Sequence, residues 1–335
     1  MKLYLKSLVL ALLLAVGVSA QPLSSVPTSG TATPLLGDRL RIRLPQGFEI
    51  EPREVNVMAA EVPQEFESRA VFDQGDKRLV LMVYELFQTA GPDFQQVLET
   101  TEREVGASSL VECELIKDQG ALKVYLSNGP SEEVADDAVL VSSAWTVSPD
   151  GTVQYLAGYA NPAAVAETAD VDDVRKLFGA ALRTLEPGPT KLESGARTQR
   201  LSLWSEAGEA AISLPEGWVS TLQPGPDFLV HRIRKLSPYA TPSPAISFYV
   251  GDHPGFFYRQ AGVEAQTAYG QLLGQPSEWF HSADEDRLLR ESIRSARELD
   301  DHTMFHLILS GSSEEALDEA QAIVDTMTFD KRPKP

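Results

Sequence analysis

The sequence contains a single cysteine, Cys113, so no disulfide can form within the chain. It is also poor in basic residues: 29 Lys and Arg stand against 48 Asp and Glu, which gives a formal net charge of −19. A strongly acidic surface repels phosphate backbones, and we therefore expect no nucleic-acid partner. Cys113 lies in a run of alternating apolar and polar residues, which predicts a buried structural thiol rather than a reactive one.

Long hydrophobic runs are missing outside the N-terminus, and a bilayer core of about 30 Å needs about 20 apolar residues. Residues 1–20 combine two lysines, an apolar run from Leu8 to Val18 and small residues before Gln21, which is typical of a secretory signal peptide. An uncleaved anchor is the alternative. The sequence therefore predicts an exported protein, periplasmic or secreted, with no transmembrane segment in the mature chain.

The motifs of the common enzyme classes are absent as well. The sequence has no G-x-S-x-G, G-x-G-x-x-G, G-x-x-x-x-G-K-[ST], H-E-x-x-H or C-x-x-C pattern, and its acidic clusters lack the spacing of a calcium loop. We expect no cofactor and no metal ion, and no catalytic residue can be assigned. Because a catalytic triad can assemble from distant residues, an enzyme is not excluded.

Two stretches without a hydrophobic period divide the remaining chain. One is rich in Ser, Thr, Pro and Gly and predicts a flexible leader, and the other predicts a linker between two domains. The predicted organisation is a signal peptide (1–20), a leader (21–36), a first domain (37–187), a linker (188–198), a second domain (199–331) and a tail (332–335).

A weak internal repeat relates the two predicted domains. In each, an alternating strand ends at a proline, a glycine follows two residues later, and an aromatic residue comes next. The offset between the two copies is 170 residues throughout. The matching residues are Ile42, Leu44, Pro45, Gly47 and Phe48 in the first copy, and Ile212, Leu214, Pro215, Gly217 and Trp218 in the second.

Hydrophobic periodicity predicts helices and antiparallel strands in both domains. A helix with its apolar face from Phe94 to Val105 follows Pro92, and each domain closes with an amphipathic helix. Residues 283–299 fit either a helix, by local spacing, or a strand, by the repeat. The pattern predicts that the second domain lacks a hairpin equivalent to residues 110–127. We expect an α+β fold of two tandem domains, each an antiparallel sheet flanked by helices.

The strand that ends in I-x-L-P-[QE]-G-[FW], after a signal peptide and leader, resembles the PsbP/DcrB-like family, as does the order of elements that follows it. The resemblance covers about 37–187 and 199–331. It implies a tandem pair of antiparallel sheets flanked by helices, and a largely non-enzymatic role as an extrinsic subunit, exported lipoprotein or binding adaptor. The matching residues are scaffold positions, so the resemblance implies no functional residue.

Two predicted loops of the second domain are the best candidates for a binding site. One follows a strand at Gly251–Arg259, and the other follows a helix at Pro276–His281. Large aromatic residues with a few polar groups in loops are typical of contact surfaces, although the same residues can close the end of a core. The predicted binding residues are His253, Phe256, Phe257, Tyr258, Arg259, Trp279 and His281.

Two other groups carry weaker signals. His302 and His306 lie four residues apart, which on a strand is about 13 Å and too far for one metal ion. Arg39, Arg41 and Arg43 alternate and predict one basic stripe, which either pairs with nearby acids or meets an anionic partner.

The sequence thus favours an exported, non-catalytic binding or adaptor protein whose protein partner or small ligand it does not identify. One alternative is an extracytoplasmic hydrolase with a site between the domains that uses a histidine of the second domain. Another alternative, which the family resemblance alone implies, is a structural subunit of a photosynthetic or envelope complex.

Overall fold

A computed structural model describes nine stretches of the chain. These are residues 23–51, 67–105, 112–119, 122–127, 129–135, 137–203, 208–284, 287–297 and 302–331. The predicted signal peptide and tail lie outside the described residues. Gly106, a residue type that favours a C-terminal stop for the helix that follows Pro92, lies outside them as well.

The strands fall into two sets along the chain. The first half, residues 23–187, contains β1 (Thr33–Leu35), β2 (Leu40–Ile42), β3 (Glu49–Ile50), β4 (Glu67–Gln74), β5 (Lys77–Thr89), β6 (Cys113–Gln119), β7 (Leu122–Ser127), β8 (Glu132–Ala135), β9 (Ala138–Val147), β10 (Thr152–Ala160) and β11 (Glu186–Pro187). The second half, residues 197–331, contains β12 (Arg197–Ser202), β13 (Gly208–Leu214), β14 (Trp218–Pro224), β15 (Phe228–Lys235), β16 (Ser237–Pro238), β17 (Ala245–Gly251), β18 (Ala265–Leu272), β19 (Gln275–Asp284), β20 (Arg287–Ser295), β21 (Met304–Gly311) and β22 (Thr328–Lys331).

Helices are fewer. The α-helices in the described residues are α1 (Phe94–Val105), α2 (Thr168–Leu182), α3 (Phe257–Ala261) and α4 (Glu314–Val324), with short 3-10 turns at Leu23–Ser25 and Pro162–Ala164. The apolar stripes predicted for the two closing helices are confirmed, because α2 buries Val174, Leu177 and Phe178, and α4 buries Leu317 and Ala320.

Each half contains a small and a large sheet with the same strand order. The small sheets run β1-β2-β11 and β12-β13-β22. The large sheets run β3-β4-β5-β10-β9-β7-β6 and β14-β15-β17-β21-β20-β19-β18, with β8 added on β9 and β16 added on β5. The strand pairs within each half are antiparallel. The hairpin β18–β19 holds the place of β6–β7, so the expectation that the second half lacks this hairpin is wrong.

The repeated Pro-x-Gly turn has the same backbone in both halves. Gly47 has φ of +91° and Gly217 has φ of +84°, values that favour glycine because a side chain is strained there. The next residue closes the turn in each case: the Phe48 amide donates to the Pro45 carbonyl, and the Trp218 amide donates to the Pro215 carbonyl.

The prediction of two helix-flanked α+β domains is wrong. Strands hold 52% of the described residues and helices 18%, so this is a sheet-rich fold with four sheets. Two segments account for much of the difference. The ambiguous stretch 283–299 belongs largely to strands β19 and β20, and the middle helix of the second half, α3, spans only five residues.

Each half has its own apolar core between its large sheet and its closing helix. The first core extends into the predicted flexible leader, since Leu23, Leu35 and Leu36 are buried in it. Residues 23–36 therefore pack against the first half, and β1 pairs with β2. Leu44 and Leu214, which are equivalent in the repeat, belong to the first and second core respectively.

The two halves meet at the end of β5. The pairing of β5 with β10 shifts between Glu85 and Gln88, and Phe87 is one of the two unpaired residues there. Phe87 has φ of +57° and packs against Val219 on β14, with the guanidinium of Arg234 4.3 Å from its ring centre. Beside it, β16 pairs in parallel with β5, and the Tyr239 ring lies 5.4 Å from the Phe94 ring on α1. Apolar and aromatic packing thus joins the halves. Within the described part of the chain, no helix is long and apolar enough to span a membrane.

Candidate functional site

The seven residues predicted to bind are divided between two places. His253 is exposed in the loop after β17, Phe256, Phe257 and Tyr258 are half-buried at the start of α3, and Arg259 is exposed on α3. The other two, Trp279 and His281, lie on β19. The prediction of a second loop at 276–281 is therefore wrong, because this segment pairs with β18 along its whole length, and Phe280 and His281 also pair with β20.

Three aromatic rings form a compact group where α3 lies on the large sheet. The ring centres of Phe256 and Phe280 lie 4.7 Å apart, those of Tyr258 and Phe280 lie 5.2 Å apart, and those of Phe256 and Tyr258 lie 5.4 Å apart. These distances are typical of favourable ring contacts. We call Phe256, Tyr258 and Phe280 the aromatic cluster. All three rings are half-buried, so the cluster reaches the surface.

Arg259 covers one side of the aromatic cluster. Its guanidinium carbon lies 5.0 Å from the Phe256 ring centre and 5.5 Å from the Tyr258 ring centre, within the range of a cation–π contact. Its Nε donates a hydrogen bond to the Tyr258 hydroxyl at 2.9 Å. The cluster therefore presents an apolar surface with a positive charge at its rim.

The aromatic cluster is held in place by a buried carboxylate on β20. Glu291 accepts hydrogen bonds from the backbone amides of Phe257, at 2.9 Å, and Tyr258, at 3.0 Å, and its side chain is 0% exposed. These two amides belong to the first turn of α3 and have no partner within the helix. Glu291 therefore fixes α3, and with it two rings of the cluster, on the sheet.

His306 on β21 completes this anchor. Its Nε2 lies 3.0 Å from Glu291 Oε2, and its ring centre lies 6.1 Å from that of Phe256. Burial alone would raise the pKa of Glu291, but hydrogen bonds from His306 and the two amides lower it below its ordinary value. The carboxylate is therefore ionised at neutral pH, and its charge is balanced by the donors of α3 and His306.

Trp279 and His281 lie on the opposite face of the large sheet from the aromatic cluster. Side chains alternate along β19, and Phe280 pairs with Glu291 while His281 pairs with Arg290. Trp279 is only 4% exposed and belongs to the second core. Burial, and then the charge of Arg290, lower the pKa of His281. The structure thus brings Phe256, Tyr258 and Arg259 together, adds Phe280, and separates Trp279 and His281 from them.

Tyr269 on β18 extends the aromatic surface to the edge of the sheet. It pairs with Glu278, two residues along β19 from Phe280, so its ring is on the same face as the aromatic cluster. It is 83% exposed. We call the aromatic cluster together with Tyr269 and Arg259 the aromatic face. Phe280, Tyr269 and Glu291 were missed by the sequence interpretation, because nothing local shows which face of a strand a residue occupies.

The corresponding face of the first half is covered by α1. There Phe94 and Leu98 of the helix pack on Cys113, Tyr125 and Trp145 of the sheet. The prediction of a buried Cys113 is confirmed, and burial raises the pKa of its thiol to about 12. Since α1 has twelve residues and α3 only five, the second half leaves more of this face open.

Two of the three arginines of the predicted basic stripe are paired with acids. Arg39 is buried and pairs with Glu85, and also with Asp150 at 3.1 Å. Arg41 pairs with Asp38 at 2.7 Å, while Arg43 is exposed. Burial raises the pKa of Glu85 to about 7, although Arg39 and a hydrogen bond from Gln154 favour its charged form. The alternative of pairing with nearby acids therefore describes Arg39 and Arg41.

The two histidines of the pair have different surroundings. The imidazole of His306 is directed at Glu291, and His302 is exposed. Among the residues with described positions, no group of three or more His, Cys, Asp or Glu side chains is placed to hold a metal ion.

No protein-family model, no curated protein and no solved structure matches this chain. The resemblance to the PsbP/DcrB-like family therefore stays a prediction.

Proposed function

We propose that this chain is an exported, non-catalytic binding protein that contacts a partner protein through the aromatic face of its second half. The observation that supports the proposal is the anchoring of partly exposed aromatic rings by the buried Glu291 carboxylate. Aromatic rings and an arginine that are held rigid before binding lose little conformational entropy when a partner binds.

The hydrogen bonds of Glu291 favour binding over hydrolysis. A carboxylate that assists a catalytic histidine must hold the imidazole toward a nucleophile in an accessible site. Glu291 instead accepts two backbone hydrogen bonds from α3, and its pair with His306 is buried within the second half rather than between the halves. The hydrolase is the less favoured alternative, and the structural-subunit alternative differs from the proposal only in the partner it names.

The chemistry of the aromatic face favours a protein over a small ligand. Tyrosine, phenylalanine and arginine are enriched at protein interfaces, where each combines a large apolar area with few rotatable bonds or with a planar charge. Tyr269 is 83% exposed and projects from an edge strand instead of lining an enclosed cavity. An open surface of this kind favours a protein partner, which can cover it with a large surface, over a small ligand, which needs an enclosed pocket.

Affinity capture tests the proposal. Three tagged proteins are each incubated with an envelope extract of the source cells. They are the wild type, a double variant with Tyr258→Ala and Phe280→Ala, and a control with Tyr159→Ala on the large sheet of the first half. We expect the wild type and the control to capture the same partner, identified by cross-linking mass spectrometry, and the double variant to capture at least tenfold less. Equal capture by the double variant, with its thermal unfolding unchanged, would overturn the proposal.

A further inference from the structure

Strand β18 forms one edge of the second large sheet and lacks the usual protection of an edge. It pairs with β19 along all eight residues without a register shift, and no described strand pairs with its other side. Its sequence, AQTAYGQL, contains no charged residue and no proline. Five of the eight residues are exposed. An edge of this length with free backbone groups is a template for another strand.

The equivalent edge of the first half, β6, is protected in three ways. A β-bulge interrupts its pairing between Leu115 and Lys117. Gln95 of α1 donates to the Cys113 carbonyl at 2.9 Å, and Glu99 accepts from the Cys113 amide, so helix side chains occupy the outward backbone groups there. Lys117 donates from its Nζ to the Leu185 carbonyl. These are the devices that block strand addition.

The opposite edge of the second large sheet is covered as well. Strand β14 is mostly buried and ends at Pro224. The backbone carbonyl of Trp218 accepts a hydrogen bond from the Arg197 side chain, and Val219 packs against the first half. Compared with the edges at β6 and β14, β18 differs because the helix that would cover it, α3, has only five residues and is fixed elsewhere by Glu291.

We propose that β18 binds an extended segment of the partner polypeptide, which adds to the sheet as a further strand. This inference rests on the proposed function and gives its binding mode. Main-chain hydrogen bonds to β18 supply the affinity, and alternate side chains of the segment lie beside Tyr269 on one face, next to the aromatic cluster.

The charge and size of this edge favour a neutral or basic segment. The carboxylates of Glu264, just before β18, and Glu278, opposite Tyr269, are both exposed, and the chain carries a net charge of −19. An added strand would lie along about 26 Å of edge and be about 4.8 Å wide. That footprint is small against the roughly 1,200 Å² of a stable protein–protein interface, so it suits a peptide segment better than a second copy of the chain.

Backbone-modified peptides test this inference. Linear 12-residue peptides are selected from a phage-displayed random library on the purified protein, and the tightest binder is synthesised with N-methyl groups on one or the other alternate set of its amides. Because only one set faces β18, we expect one N-methylated peptide to bind at least 30-fold more weakly and the other to bind within threefold of the parent. Tyr269→Ala should weaken binding about tenfold, and the Tyr159→Ala control should not change it.

Four results would overturn the inference. The first is that no peptide is selected, and the second is that both N-methylated peptides bind like the parent. The third is that Tyr269→Ala has no effect on binding. The fourth is that the protein sediments as a dimer and the Tyr269→Lys variant as a monomer, which would assign β18 to a second copy. In each case, loss of partner capture by the Tyr258→Ala, Phe280→Ala variant would still support the proposed function, so the two failures are distinguishable.

Discussion

Glu291 Oε2 lies 3.0 Å from His306 Nε2 across two adjacent strands, β20 and β21, and the same carboxylate accepts the amides of Phe257 and Tyr258. One buried side chain thus joins the sheet to the helix that carries the aromatic cluster. This relationship explains how a five-residue helix, too short to be stable alone, keeps a defined position.

Glu291→Ala should lower the free energy of unfolding by about 3–5 kcal/mol, because it leaves His306 and two backbone amides buried without their acceptor. Urea unfolding measures the loss. The matched control is Glu278→Ala, an exposed glutamate on the neighbouring strand, which should change stability by about 0.5 kcal/mol or less. Equal effects of the two substitutions would show that Glu291 is not an anchor.

Glu85 should make stability depend on pH. Its pKa is raised to about 7 in the folded protein, so between pH 4.5 and 7 the folded state binds more protons than the unfolded state. Stability therefore falls as pH rises through this window, and the contribution of Glu85 is fully present below its unfolded pKa. Unfolding free energies at pH 5 and pH 8 should differ more for the wild type than for Glu85→Gln. Parallel pH profiles of the two proteins would contradict this assignment.

Trp279→Ala should destabilise the second half by about 3–5 kcal/mol, because the indole is part of the core. Phe280→Ala, one residue along, should cost less, since its ring is half-buried. Thermal unfolding of the two variants checks the order. A milder effect of Trp279→Ala would mean that the indole is exposed in solution and belongs to the contact surface after all.

Phe87→Ala should loosen the contact between the halves, because this ring packs on Val219 and beneath Arg234. Small-angle X-ray scattering should show a broader distance distribution than for the wild type. Phe72→Ala removes a ring of the same size from the first core, and we expect it to lower stability without broadening the distribution. Identical scattering from Phe87→Ala and the wild type would remove Phe87 from the interface.

Local patterns predicted those elements whose hydrophobic period is unambiguous. Helices α1, α2 and α4 were expected from the spacing of their apolar residues. Ser312 followed by Glu315 predicts a capping box at the start of α4, whereas the N-cap is Ser313, one residue later, whose side chain accepts from the Ala316 amide. Such a shift lies within the freedom of a helix end.

Long-range pairing decided what the local pattern left open. Residues 287–295 have apolar residues at helical spacing, yet the strand places Glu291 and Ile293 beside β21, where Glu291 reaches His306. The contact surface was only partly predictable for the same reason. The local sequence indicated Phe256, Tyr258 and Arg259. The register of β18 and β19 decides that Phe280 and Tyr269 lie on the same face as these residues, and that the Trp279 side chain is directed into the core.

The most direct test of the proposed contact surface is amide hydrogen exchange of the protein with and without its captured partner or selected peptide. Binding should slow exchange of the amides in residues 265–272 and at the start of α3, while the amides of β6 in the first half keep their rates. Unchanged exchange in residues 265–272 and α3, together with protection elsewhere, would contradict a contact surface built on β18 and the aromatic cluster.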